Sequence, residues 1–222
     1  VALTIGATVA AIAILGFAAR LALDAYRASL TVTGLTEDPR KVRLLVGGES
    51  VEIPANMLRF ADQRRGGAVD HADLVMHWPT LEGYSEALAA DFMDGSPAAP
   101  IVYATLARRE TALDAGERLE ALYSRFFIGE PLPAPAGLTA RRLDPDSGFG
   151  GEIVYYGPPE GGRFVARCLP QSTPEVPATC LRDIPVGRTL SLLYRFNRDL
   201  VADWRALDTG MAAVAATIEP AS

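Results

Sequence analysis

Val1–Ala19 carries no charged residue, and this stretch constrains the chain more than any other. As an α-helix rising about 1.5 Å per residue it nearly spans the ~30 Å hydrocarbon core of a bilayer. The reading is a single transmembrane helix over residues 1–20. Thr4, Gly6, Thr8, Gly16 and many alanines dilute Leu3, Ile5, Val9, Ile12, Ile14, Leu15 and Phe17, so the span is only moderately apolar and inserts marginally when alone. Ala2, Gly6 and Ala10 recur at four-residue spacing, the small-xxx-small geometry that lets a second helix approach closely. That helix is expected from another inner-membrane protein or a second copy of the chain; an alanine-rich composition alone also produces the pattern. A cleaved secretory signal is the rival reading, but its positive n-region and A-x-A-like site are not seen here.

Orientation follows from two opposed signals. Arg20, Arg27, Arg40, Lys41 and Arg43 follow the span, which by the positive-inside rule alone leaves the main domain in the cytoplasm. Cys168 and Cys180 argue the other way. They flank a proline-rich loop between two strand-like runs, 163–168 and 179–184, and an antiparallel pairing there brings the sulfurs together. A bridge closing that loop contributes about 3 kcal/mol by the chain-entropy model and persists only in an oxidising compartment. Two buried free thiols are the alternative. The expectation is a cytoplasmic N-terminus and a domain outside, in the periplasm of a bacterial inner membrane.

Residues 21–30 continue a helical pattern as a neck, with Arg20, Asp24 and Arg27 at four- and three-residue spacings. From residue 31 to 222 the pattern is one α+β domain. Residues 31–34 read as a short strand; 42–46 and 51–53, joined through Gly47-Gly48-Glu49-Ser50, read as a hairpin. Strands follow at 73–78 and 101–106, and Tyr84, Leu88 and Phe92 mark a short helix. Asp114 and Glu117 are spaced as a capping box opening a mid-chain amphipathic helix. Pro131, Pro133 and Pro135 predict a rigid extended connector. Strand patterns at 138–143, 152–156, 163–168, 179–184 and 189–196 predict an antiparallel meander. A final amphipathic helix carries Leu200, Trp204, Leu207, Met211, Val214 and Ile218, a stripe better suited to packing on the protein's own sheet than to a coiled coil.

Candidate chemistry is sparse. With 21 Lys+Arg against 27 Asp+Glu the formal net charge is −6, which disfavours nucleic acid as a partner. No G-x-S-x-G nucleophile elbow occurs. Two histidines, His71 and His77, are the whole stock of neutral-pH proton shuttles; His77 reads as structural within a strand and His71 as a solvated loop residue. Asp144, Asp146 and Glu152 faintly follow a calcium loop but lack its twelve-residue pattern, and Gly148, Gly150 and Gly151 lead into a strand rather than a helix, unlike a nucleotide fingerprint. The expectation is a protein with no catalytic centre, metal or cofactor. Arg64-Arg65, Arg108-Arg109 and Arg141-Arg142 remain as candidate anion or interface groups, with Tyr155-Tyr156, Phe126-Phe127 and Trp204 as aromatic anchors.

Four stretches, 51–60 (VEIPANMLRF), 77–85 (HWPTLEGYS), 165–169 with 179–183 (VARCL and TCLRD) and 192–204 (LLYRFNRDLVADW), resemble a group of uncharacterised single-pass inner-membrane proteins of α-proteobacteria. The resemblance implies an envelope location and transfers no activity, cofactor or site residue. The leading expectation is a non-enzymatic accessory or interaction protein, an auxiliary subunit or stabiliser of a larger inner-membrane complex. A lipid- or small-ligand-binding envelope domain using the arginine pairs stands second, and an envelope hydrolase using His71 or His77 third.

Overall fold

The computed structural model describes residues 34–96, 98–110, 113–158, 164–170 and 178–218. The expected transmembrane helix, the neck and the small-residue positions Ala2, Gly6 and Ala10 lie outside the described residues. Among the described residues no helix is long and apolar enough to cross a membrane. The chain divides into Val1–Leu35 and Thr36–Ser222, and the account below concerns the second unit.

Two sheets build it. Strands β1 (Lys41–Val46) and β2 (Glu49–Pro54) form the predicted hairpin, joined by Gly47 and Gly48 at φ 56° and 92°. Positive φ at both central positions gives the turn a twist that suits antiparallel strands and costs glycine no Cβ clash. This hairpin belongs to a separate three-stranded sheet, where β3 (Gly67–Val69) pairs parallel to β1.

The larger sheet has eight antiparallel strands in the order β4-β5-β11-β10-β9-β8-β7-β6. Its members are β4 (His71–His77), β5 (Ile101–Arg108), β6 (Phe127–Pro133), β7 (Thr139–Leu143), β8 (Ile153–Tyr156), β9 (Val165–Cys168), β10 (Thr179–Val186) and β11 (Leu190–Asn197). The run from β7 to β11 is the expected meander, which returns to lay β11 beside β5. One expectation is corrected here: the proline segment is not a connector but edge strand β6, paired to β7 with a register shift between Ile128 and Leu132. Proline lacks an N–H, so Pro131 and Pro133 are tolerated at an edge and discourage further pairing there.

Helices are short except the last. Helix α1 (Ala89–Met93) follows a 3-10 turn at Glu86–Leu88. Helix α2 (Ala115–Ala121) starts at the expected capping box, with Asp114 accepting from the Glu117 amide and Glu117 accepting from the Asp114 amide. It passes into a 3-10 turn at Tyr123–Phe126, shorter than the amphipathic run suggested. The C-terminal pattern splits similarly into a 3-10 segment, Arg198–Asp203, and helix α3 (Trp204–Ile218).

One face of the large sheet is covered. Leu74, Leu106, Leu192, Tyr194, Phe196 and Cys180 point into a core shared with Leu44, Val51 and Ile53 of the small sheet and Leu207, Met211 and Ile218 of α3. The helix stripe is thus consumed by the protein's own sheet, as expected. Two polar devices tie the layers. Arg182, buried, donates to Asp208 of α3 at 2.7 Å, and the buried Tyr194 hydroxyl donates to the same carboxylate at 3.2 Å. Burial drives the Tyr194 phenol well above its ordinary range, so it remains a neutral donor. At the sheet junction, Glu49 of β2 accepts from the Thr189 hydroxyl and from the amides of Thr189 and Arg188. The Thr189 hydroxyl, with these amides, holds the Glu49 carboxyl below the usual range against the opposing effect of its burial.

Cys168 and Cys180 are register partners on β9 and β10 and are joined by a disulfide, both fully buried. The disulfide expectation therefore holds, and the free-thiol alternative does not.

Candidate functional site

Side chains alternate across a strand, so the residues between the core positions form the sheet's second face. Pairing places them in rows. One row runs Asp73, Thr105, Leu193, Asp183 across β4, β5, β11 and β10; the next runs Val75, Tyr103, Arg195, Leu181, Arg167 from β4 to β9. Helix α2 and its 3-10 extension roof the β7–β10 side of this face, where Leu119 and Tyr123 bury Leu143, Val154 and Val165. Over β5 and β11 no described helix or strand lies on it. Tyr103 and Leu193 are accordingly 37% and 44% exposed, large apolar groups in the middle of a sheet face.

Three depressions adjoin along this face. The largest, about 540 Å³, lies where the α2 roof meets the open strands; Leu122, Tyr123, Phe149 and Leu181 make its apolar wall, and Arg108 and Arg109 stand at its mouth. It shares Thr105, Leu181 and Leu193 with a second depression of about 170 Å³ that reaches Arg59, Asp73 and Arg195. A third, about 270 Å³, continues from Tyr103 and Arg195 toward Ser96 and Asn197. Together they make one groove running along β5 from Arg108 to Ile101. At about 3.3 Å per residue that is about 23 Å.

The groove's charge is uneven. Arg118 of α2 pairs with Asp183 of β10, and Arg167 of β9 pairs with Glu152 at 2.7 Å. Burial works against the Arg118 charge, and Asp183 beside it more than restores it, raising its pKa; burial raises the Glu152 carboxyl in spite of Arg167. Asp73 is engaged by the Thr105 hydroxyl at 2.8 Å and by Gln63 and His71. Arg59 stacks over the Phe60 and Tyr103 rings, 5.1 Å from each centroid, and its Nε is buried without a hydrogen-bond partner among the described residues. Arg59, Arg108 and Arg195 form no ion pair among the described residues. Of these, Arg59 and Arg195 line the open face, whereas Arg108 follows Val102, Ala104 and Leu106 in the strand alternation and places its Cβ beside Gly47 on the covered side.

The three arginine pairs do not cluster. Arg108 and Arg109 flank the large depression, with Arg109 also donating to the Leu190 carbonyl at 3.3 Å. Arg141 and Arg142 sit on β7, five strand spacings or about 24 Å from β5; Arg141 stacks on Phe127 and donates to the Gly129 carbonyl at 2.8 Å. Arg64 donates to the Leu58 carbonyl at 2.7 Å within a 3-10 turn, where Arg65 is exposed. Of the aromatics, Trp204 is a core residue whose Nε1 donates to the Ala136 carbonyl at 3.2 Å.

His77 Nε2 lies 2.8 Å from Asp91 of α1 and its ring neighbours Phe92, a packing role; His71 is exposed, 3.1 Å from Asp73. The Asp144 side chain accepts from the Asp146 amide at 2.9 Å while Glu152 is held by Arg167, so these carboxylates serve a turn and an ion pair. Among the described residues no three His, Cys, Asp or Glu side chains are grouped to hold a metal ion. Sequence reasoning missed Arg59, Arg118, Arg167 and Arg195. The signal for Arg195 was the alternation Ser191, Leu193, Arg195 opposite Tyr103 and Thr105, which marks a strand face too polar for a core.

No family model matches the sequence, and no curated protein matches it significantly. Solved structures do. The chain shares a fold with Smlt3025. That protein is an immunity protein of the Stenotrophomonas maltophilia type IV secretion system, aligned at TM-score 0.53 and 17% identity over 80% of this chain and 92% of its own. The Neisseria meningitidis iron-regulated outer membrane lipoprotein FrpD aligns at TM-score 0.44 and 13% identity, over 73% of this chain and 83% of its own.

Proposed function

We propose that this chain is a non-enzymatic, membrane-anchored interaction protein whose domain lies in the periplasm and binds or stabilises a partner within a larger inner-membrane complex. The observation that carries the reading is the open half of the sheet's second face. Burying a Leu and a Tyr side chain is worth roughly 1.5–3 kcal/mol each, so leaving Leu193 and Tyr103 exposed at a sheet centre favours a surface completed by another molecule. Arginine and aromatic groups enriched there match the composition of binding hot spots. The Cys168–Cys180 bond supports an oxidising compartment, and a fold shared with an immunity protein of a secretion system supports a binding role. The N-terminal segment would anchor the chain and pack through Ala2, Gly6 and Ala10.

The test is copurification of C-terminally tagged full-length protein from native membranes in mild detergent, beside a protein beginning at Thr31. A partner lost on Leu193→Arg and weakened by Gly6→Leu is the expected result. A protein that emerges alone in every case overturns the reading. The 540 Å³ depression is within the range of small-ligand sites and favours a second reading, an envelope ligand-binding domain.

A further inference from the structure

Resting on the interaction reading above, the geometry points to the chemistry of the partner: we infer that the groove along β5 and β11 takes an acidic protein segment with interspersed apolar side chains. Charge complementarity makes the choice. Arg59 and Arg195 stand beside Tyr103 and Leu193 without ion-pair partners among the described residues, whereas Asp73 and Asp183, the carboxylates of the neighbouring strand row, are already engaged by Thr105 and Arg118. A basic segment would find no free carboxylate in these central rows, and an acidic one finds two guanidinium groups outside ion pairs; Glu110 stands apart at the Arg109 end of the groove, and Asp94, at the other end, is taken by Ser96. Arginine's planar donors favour carboxylates and can bind them in bidentate fashion.

Dimensions and polarity set the rest. A groove about 23 Å long accommodates about seven residues of extended chain. Leu193 and Tyr103 stand at its centre, and the large depression beside them has an apolar wall of Leu122, Tyr123 and Phe149, so an aliphatic or aromatic side chain of the segment enters there. The sheet's paired strands offer no free backbone edge at this place, since β5 and β11 are hydrogen-bonded on both sides. Recognition is therefore by side chains across the face rather than by adding a strand.

The experiment selects from a phage-displayed library of random twelve-residue peptides on the full chain in mild detergent, at low and at physiological salt. Enriched sequences are expected to combine Asp or Glu with Leu, Ile or Phe, to bind more weakly as salt rises, and to lose about tenfold or more in affinity on Arg195→Glu or Leu193→Arg. Both residues are exposed, so thermal unfolding of the variants is expected to match the parent and separates lost binding from lost folding. Enrichment without an acidic excess, binding unaffected by either substitution, or no enrichment at all overturns the inference. Copurification of a partner sensitive to Leu193→Arg would in that case leave the interaction reading standing with a partner of different chemistry.

Discussion

The two faces of the eight-stranded sheet use the same strands to opposite ends. On β11, Leu192 and Tyr194 are fully buried while Leu193, between them, is 44% exposed and Arg195, next in the strand, is exposed. The covered face closes on a second sheet, a helix and a disulfide; the other is roofed only over β7–β10 and keeps arginines and apolar groups in reach of solvent. Stability is concentrated on the first face and binding capacity on the second. Substitutions on the two faces should therefore have separable effects.

The largest expected effect breaks the polar link of the covered face. Asp208→Ala leaves the Arg182 guanidinium buried beside Tyr194 without its carboxylate, and should cost about 4 kcal/mol in urea unfolding. Next, Leu192→Ala should cost about 3–4 kcal/mol by cavity formation, whereas Leu193→Ala one residue on should stay within about 0.5 kcal/mol. Equal losses at the two positions would mean that both faces are core. Replacing Cys168 and Cys180 together by alanine should cost about 3 kcal/mol and leave peptide binding intact.

The smallest effect is a pH dependence. Because the Glu49 carboxyl is depressed in the folded protein, its contribution is complete above the unfolded value, about 4.3, and is lost as pH falls through the lower folded value. The urea midpoints of the parent and Glu49→Gln should therefore differ at pH 6 and converge toward pH 3; a constant gap would show that Glu49 acts by packing alone.

Much of the fold was legible in the residues. The Gly47-Gly48 hairpin, the Asp114–Glu117 capping box, the meander and the paired cysteines are local patterns whose physics operates within a few residues or one strand pairing. What was not legible depends on distant packing. Nothing in the hairpin sequence reveals that β1 and β2 leave the main sheet to cover it, and proline spacing alone does not tell a connector from edge strand β6. The candidate site was the least legible part. Adjacent arginines are conspicuous in a sequence, yet they do not mark the groove: of the three pairs only Arg108-Arg109 lines it, with alternation turning the Arg108 Cβ to the covered side, while single arginines from four other segments of chain reach it.

The most direct test of the central claim is photocrosslinking in cells, with a benzophenone side chain placed at Leu193 on the open face or at Ala212 on the solvent side of α3. The account predicts one discrete protein adduct from Leu193 in the membrane fraction, lost on Arg195→Glu, and none from Ala212. Adducts of equal yield from both positions, or none from Leu193, would contradict it.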